Sequence, residues 1–468
     1  MWLGSLIPGS LMKLLSLRMA WFVSASLAGT TGLCAQSASS SPAASRLLDS
    51  SSIFASGVTV RPNGAFLFTS GSGGGTTGDT KSQALAYFAK LKTDLASYGF
   101  SMSDIAFVHA ALVADETGKV DFDGWNAAWK EIFGTTDLPW KPAQTTIVIP
   151  KFWSPGSKIS ELDIICGNGS ADTMMSASKA LDLPVTNPNL APFESRKGRF
   201  YRAMGVAPGT SLFFASGVGA PVVNKDAMPS SRESRGDMHT QATGVLKAIS
   251  ANLASVGLSF KDVVFMRAYL GPDVLNEGKF YFDDWNKAYD EFFNNSENPH
   301  KPARTSISIA GFANSTSMLE VEVIAAFPHA PELFSAPDSA NANLKSYGKA
   351  EAAISSGVAV KGGSAFYFSA GVGPSVAGEM KAQALSALEK MKGQLAAAGY
   401  GLQDVVFLHA FVVAGKDGKV DRKGWGDAYA SYFGSKDQPH KPARTTVAIT
   451  ALPNPDWKIE IEAIAAKP

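Results

Sequence analysis

Three stretches of this 468-residue chain repeat one phrase: "WKPAQTTIVI" (140–149), "HKPARTSISI" (300–309) and "HKPARTTVAI" (440–449). Its proline falls at Pro142, Pro302 and Pro442, offsets of 160 and then 140. A tryptophan segment keeps the same register in "GWNAAWKEIF", "DWNKAYDEFF" and "GWGDAYASYF", with Trp125, Trp285 and Trp425. So do "GKVDF", "GKFYF" and "GKVDR", which start at Gly118, Gly278 and Gly418. Landmarks at identical offsets mark three copies of one folding unit, over residues 53–167, 193–327 and 347–467. The joints at 167–192 and 328–345 are rich in Pro, Ser, Asn and Ala and read as linkers. A polar insertion at 219–238, peculiar to the second unit, accounts for part of its greater length.

Periodicity within a unit alternates between strand and helix. In the third, "GVAV" and "SAFYFSAG" read as a strand pair around a Gly-rich turn. The helix "KAQALSALEKMKGQLAAAGY" (381–400) puts Leu385, Leu388, Met391 and Leu395 on one face and stops at Gly399. A long apolar strand follows, "DVVFLHAFVVAG" (404–415), then the tryptophan helix, then "ARTTVAIT" and "KIEIEAIAA". The order ββαβαββ predicts an α+β unit with helices on one sheet face. The opposite face needs its own cover, which three copies supply by packing their sheets around a shared axis.

Composition narrows the function. The chain carries 42 basic and 41 acidic residues, a net charge of +1, which argues against a broad nucleic-acid or membrane surface. At the N-terminus, Lys13 and Arg18 precede an uncharged run over 19–33 that exits through "CAQSASSS". That pattern predicts a secretory signal over 1–35, cleaved after Ala35, with Met12 as an alternative start. The run is too short for a comfortable membrane span, and Leu33 disfavours a lipid anchor on Cys34. The expectation is an exported, periplasmic or extracellular protein with no membrane contact after cleavage. Only Cys34 and Cys166 are present, so cleavage leaves one cysteine and no intrachain disulfide.

The segment "KPARTTVAITALPNPDWKIEIEAIAA" (441–466) resembles the C-terminal signature of the RidA/YjgF family, the reactive-intermediate deaminases. The resemblance extends through the Gly-stopped helix, the Asp-Val-Val strand, the Asn-x-Ala-Tyr/Trp helix and the Glu-x-Glu strand, and covers nearly all of each unit. It implies a chorismate-mutase-like fold. Family members are small homotrimers with clefts between subunits, so the fused chain is expected to be a monomeric pseudo-trimer around a central β core. Fusion frees each cleft to diverge.

The resemblance implies hydrolysis of small 2-imino acids to 2-keto acids and ammonia, with no cofactor and no metal. In unit two Arg304 would clamp the substrate carboxylate, Glu320 would direct water, and Asn286 would line the cleft. Tyr201, Ser216 and the backbone of Ser306 are further carry-overs. Strand alternation puts Arg304, Ser306 and Ser308 on one face, and Glu320 with Glu322 on one face of the next strand; neighbouring strands would let them share a cleft. Unit three keeps Arg444 and Glu460 but has Gly426 for the asparagine and Ala370 for the serine. Unit one keeps Ser70, Asn126 and Glu161 but has Gln144, which lacks the charged fork that grips a carboxylate. Which units pair at each cleft is open, and Asn126 could complete a site around another unit's arginine.

Plainer readings compete. Each arginine could pair with a nearby carboxylate across a hairpin, and the three tryptophans read as core. His300 and His440 have Trp140 as their counterpart and no second histidine at ligand spacing, which rejects metal. His109 and His409 match Arg267, a tolerant structural position. "GSGGGTTGDTK" (71–81) lacks the Gly-Lys-Ser/Thr ending of a phosphate loop, and Cys166 reads as core packing. The alternative function is a non-catalytic module that binds small carboxylates or a protein partner in the clefts. Ribonuclease activity fits poorly with the near-zero charge.

Overall fold

The computed structural model describes residues 55, 57–113, 120–150, 156–193, 198–312, 316–331, 341–349, 351–415 and 419–468. The expected signal over 1–35 lies outside them. The first unit runs β1 (Gly57–Val60), β2 (Ala65–Thr69), α1 (Thr80–Ser97), β3 (Ile105–Val113), α2 (Phe122–Ile132), β4 (Ala143–Ile149) and β5 (Ile159–Gly169). Then α3 (Ala171–Ala180) and β6 (Leu190–Phe193) lead into β7 (Ala203–Val206), β8 (Leu212–Gly219), α4 (Arg232–Arg235) and α5 (Met238–Ala254). The second unit ends with β9 (Val263–Leu270), α6 (Phe282–Asp290), β10 (Ala303–Ser308) and β11 (Leu319–Ala326). After β12 (Leu344–Tyr347), the third comprises β13 (Gly357–Val360), β14 (Ala365–Ser369), α7 (Met380–Ala397), β15 (Val405–Val413), α8 (Arg422–Ala430), β16 (Ala443–Ile449) and β17 (Ile459–Lys467). Apart from the insertion helix α4, each unit has the expected α+β order ββαβαββ.

One expectation about pairing fails and one open question is answered, and both shape the site. The first two strands of a unit do not pair with each other. β7 of unit two pairs with β2 of unit one, β13 of unit three with β8 of unit two, and β1 of unit one with β14 of unit three. Every sheet is therefore completed by its neighbour's first strand, and β1 closes the ring onto the last unit. Nor are the last two strands neighbours: β9 lies between β10 and β11, with β10 parallel to it and β11 antiparallel. Arg304 and Glu320 thus stand on strands separated by a third.

The repeated phrase anchors the strand that crosses over. The carbonyls of Pro142, Pro302 and Pro442 accept hydrogen bonds from the backbone N–H of Ala55, Tyr201 and Ser355, just ahead of each crossing strand. Lys301 and Lys441 each donate 2.7 Å bonds to carbonyls on that same approach, Gly198 and Ala352. The residue before the lysine has one task in all three units. Trp140 Nε1, His300 Nε2 and His440 Nε2 bond the carbonyls of Ile105, Val263 and Val405 at 2.7, 2.7 and 2.6 Å. A ring N–H is all that this position needs, which is why tryptophan and histidine interchange there.

The long strands β3, β9 and β15 stack three layers along the axis through alternate residues. Phe107, Phe265 and Phe407 join Phe66, Phe214 and Phe366 in an aromatic core shared by all units. Two positions later stand His109, Arg267 and His409. Two further on, Ala111, Tyr269 and Phe411 enter a second shared apolar cluster. Separate cores lie between each sheet and its own helices.

The middle layer is a ring of buried charge. Arg267 bonds Asp163 of unit one (2.5 Å) and Glu322 of its own unit (2.7 Å). His409 bonds Glu322 at 2.8 Å and Glu462 at 2.7 Å, and His109 lies 3.5 Å from Asp163. Burial would lower the His409 pKa, but the Glu322 and Glu462 carboxylates outweigh it and raise it to about 9. Burial would raise Glu322, yet His409 and Arg267 hold it well below the usual carboxylate range. The stabilisation from His409 is present below its unfolded pKa near 6.5 and is lost as pH rises through 9. That from Glu322 is present above about 4.5 and is lost in acid.

Removing Arg267 strands two buried carboxylates. Arg267→Ala should cost about 3–5 kcal/mol in urea unfolding at pH 7. Arg267→His, which restores the residue of the other two units, should cost clearly less. Equal losses for the two variants would contradict the ring.

Candidate functional site

Because Arg304 sits on β10 at the edge of its sheet, it faces a boundary between units. Its backbone N–H bonds Ser70 Oγ of unit one at 2.8 Å, and Ser70 in turn donates to the Tyr201 carbonyl at 2.5 Å. The adjacent Thr305 Oγ1 accepts a 2.9 Å bond from the Gly71 N–H. The guanidinium donates to Asn286 Oδ1 on α6 at 2.7 Å and lies 4.5 Å from the Tyr289 ring and 4.8 Å from Phe200. It is buried, 6% exposed, so a bound anion would meet it with little competition from water. Backbone register relates one position in each last strand. Position 161 pairs with Ala111, as Glu320 pairs with Tyr269 and Glu460 with Phe411.

The second cleft joins units two and three. Arg444 donates its backbone N–H to Ser216 Oγ at 2.8 Å, and Ser216 donates to the Ser355 carbonyl at 2.6 Å. The Arg444 guanidinium lies 4.3 Å from the Tyr429 ring and 5.5 Å from Trp425. Glu320 belongs here: a side chain at Gly217 would overlap its carboxylate and the Thr445 hydroxyl. Burial and the neighbouring Glu322 carboxylate push the Glu320 pKa up to about 8, against the pull of Arg422 and Arg444. Burial lowers that of Arg444.

At the third boundary, units three and one meet without an arginine. The Gly371 N–H bonds the Gln144 carbonyl at 3.0 Å, and a side chain at Gly371 would overlap Glu460. Gln144 turns its amide onto Thr146 Oγ1 at 2.7 Å. Ala370 stands where the other clefts have serine, and Gln144, Ala370 and Glu460 are all buried. Burial and the Glu462 carboxylate push Glu460 up to about 8.

The candidate residues therefore regroup. Arg304 and Asn286 meet as expected, but Glu320 and Ser216 serve Arg444, and Glu460 faces Gln144 instead of Arg444. The Tyr201 side chain leaves the cleft altogether, its hydroxyl bonding the Pro184 carbonyl at 2.9 Å. Ser306 Oγ accepts from Trp285 Nε1 at 3.1 Å and so holds the helix that carries Asn286. Asn126 occupies on α2 the place that Asn286 has on α6, in the unit of Gln144, and among the described residues it bonds neither arginine. Phe200 and Arg422 are cleft residues that spacing alone did not reveal. Among the described residues no group of His, Cys, Asp or Glu could hold a metal ion.

The buried neutral glutamate has a measurable signature. An unfolded glutamate ionises near 4.5 while folded Glu460 stays protonated to about 8, so this residue costs stability as pH rises between those values. Glu460→Gln should stabilise the protein by about 1–3 kcal/mol at pH 8 and have almost no effect at pH 4.5, read from urea unfolding at both. A pH-independent effect would contradict the assignment.

A sequence model of the family described as Endoribonuclease L-PSP matches residues 205–327 and 349–467, the second and third units. A RutC family protein of Pyrococcus horikoshii is 40% identical over 116 residues, 23% of this chain and 84% of that protein. The solved YjgF gene product of E. coli is 30% identical, over 22% of this chain and 81% of its own, with a TM-score of 0.20. E. coli TdcF, solved with bound serine, is 27% identical over 22% and 81%, with a TM-score of 0.20. Each relative is the length of about one unit. With two regions matched by the family model and three sheets of the same plan, the chain belongs to the Endoribonuclease L-PSP family, the YjgF/RidA proteins, in tandem form.

Proposed function

We propose that the cleft between units one and two hydrolyses small 2-imino acids to 2-keto acids and ammonia. The observation that carries this reading is Arg304: a buried guanidinium at a unit boundary, aimed by Asn286 and fixed through its backbone by a serine from the neighbouring unit. A guanidinium so held grips a carboxylate through parallel charged hydrogen bonds. The imine carbon then lies beside the clamped carboxylate. Water adds across the C=N bond to give a carbinolamine; its C–N bond then breaks as the hydroxyl gives up its proton, so the oxygen stays as the keto group and ammonia leaves with both of the water's protons. In this reading unit one, rather than Glu320 of unit two, would supply the acid that directs the water, since Glu320 lies at the cleft of Arg444. Positioning would supply most of the rate gain, with proton transfer secondary.

The third cleft favours neither turnover nor capture of a small acid. Where units three and one meet, the arginine and the serine are both absent and Glu460 is held neutral, so an acid anion has no clamp there.

Ammonia release from freshly generated 2-iminopropanoate tests the proposal. Arg304→Ala should lower the rate by about 100-fold, the loss expected of a buried charge-assisted contact. Gln144→Ala should leave it within about twofold, since uncharged Gln144 grips no substrate carboxylate. An unchanged rate in Arg304→Ala would overturn the reading.

A further inference from the structure

The cleft between units two and three differs from its neighbours in a way that changes what it would hold. Helix α8 presents Arg422, Trp425, Gly426 and Tyr429 along one stripe, spaced three, four and seven residues from its start. The Arg444 guanidinium packs against two members of that stripe, Trp425 and Tyr429. The matching stripes are Phe122, Trp125, Asn126 and Trp129 on α2, and Phe282, Trp285, Asn286 and Tyr289 on α6. Two positions are therefore changed together here: phenylalanine becomes Arg422, and asparagine becomes Gly426.

The second change makes room for the first to act. Asn286 in the neighbouring cleft accepts the Arg304 hydrogen bond, and Gly426 has no side chain to do the same for Arg444. A Cβ added at Gly426 meets nothing within 4 Å. Among the described residues no side chain hydrogen-bonds or ion-pairs with the guanidinium of Arg444 or of Arg422. The polar insertion also begins at this boundary, since Gly219 pairs with Glu320 and the Ala220 N–H bonds the Leu319 carbonyl.

We infer that the cleft between units two and three is a binding site for a small dicarboxylate, with Arg444 gripping one carboxylate and Arg422 the other. Two arginines that both face Glu320, one from α8 and one from β16, suit the two charges of a small diacid, and the open space at Gly426 leaves room for the chain between its carboxylates. Electrostatics support the pairing. Glu320 is flanked by Glu322 on its own strand, Arg444 on β16, Arg422 on α8 and His409 on β15. Burial and Glu322 keep it largely protonated at pH 7, so it does not cancel the two guanidinium charges. In the other units a phenylalanine at the matching position leaves no second cation for a diacid.

Titration calorimetry with succinate, 2-oxoglutarate and pyruvate at pH 7 tests the inference. The wild-type chain should bind the diacids more tightly than pyruvate. Arg422→Phe installs the residue of the other two units, so folding is retained; it should weaken diacid binding by about 10- to 100-fold, the loss of one charged contact, and leave pyruvate within about twofold. Arg304→Ala should spare diacid binding while removing ammonia release, which separates this site from the proposed deaminase cleft. Diacid affinity unchanged in Arg422→Phe, no diacid preference in the wild type, or diacid binding lost with Arg304→Ala would each overturn it.

Discussion

Every sheet in this protein is finished by a strand that belongs to the next unit. The backbone N–H and C=O groups of β2, β8 and β14 would otherwise lie at open edges near the axis, where unpaired polar groups are costly. Handing each first strand to the neighbour pairs them and makes the three units one cooperative object. The Lys-Pro-Ala phrase serves this exchange directly, because its lysine and its proline carbonyl hold the chain just before it crosses. Its persistence in all three units reflects a structural task, whereas the residue after it is free to vary with the chemistry of each cleft.

The exchange also explains why the clefts are composite. Ser70 directly after β2 and Ser216 within β8 lie on strands that meet the neighbouring unit, so each fixes an arginine one unit further along the chain. Viewed unit by unit, the departures from the family pattern look scattered: a glutamine in the first, an alanine and a glycine in the third. Grouped by cleft they fall into place. Gln144 and Ala370 face each other in one cleft, Arg422 and Gly426 change together in another, and the third keeps Ser70, Arg304 and Asn286. A homotrimer could not divide its sites in this way, since every change would appear three times.

Much of the fold was legible in the sequence because it rests on local pattern. The repeat offsets, the helix periodicity, the stop at Gly399 with its φ of +81° and the tryptophan cores all follow from composition within one unit. Strand partners did not, because β1 and β13 read identically whether they pair with their own unit or with another. The same ambiguity left open whether Glu320 shares a cleft with Arg304, and β9 lies between their strands. Register is a long-range property, and three near-identical units offer three near-identical partners. The charged ring was half visible: a matching His, Arg and His signalled a tolerant position, while its acidic partners Asp163, Glu322 and Glu462 lay on other strands.

An acid anion should bind where a boundary carries an arginine, and a crystal of the full chain soaked with 2-ketobutyrate tests that most directly. The ketoacid carboxylate should lie on the Arg304 guanidinium between units one and two, with nothing bound at Gln144. Density for the ketoacid at the Gln144 cleft, or Arg304 left without it at saturating concentration, would contradict the claim that a guanidinium at a unit boundary is what makes these clefts bind.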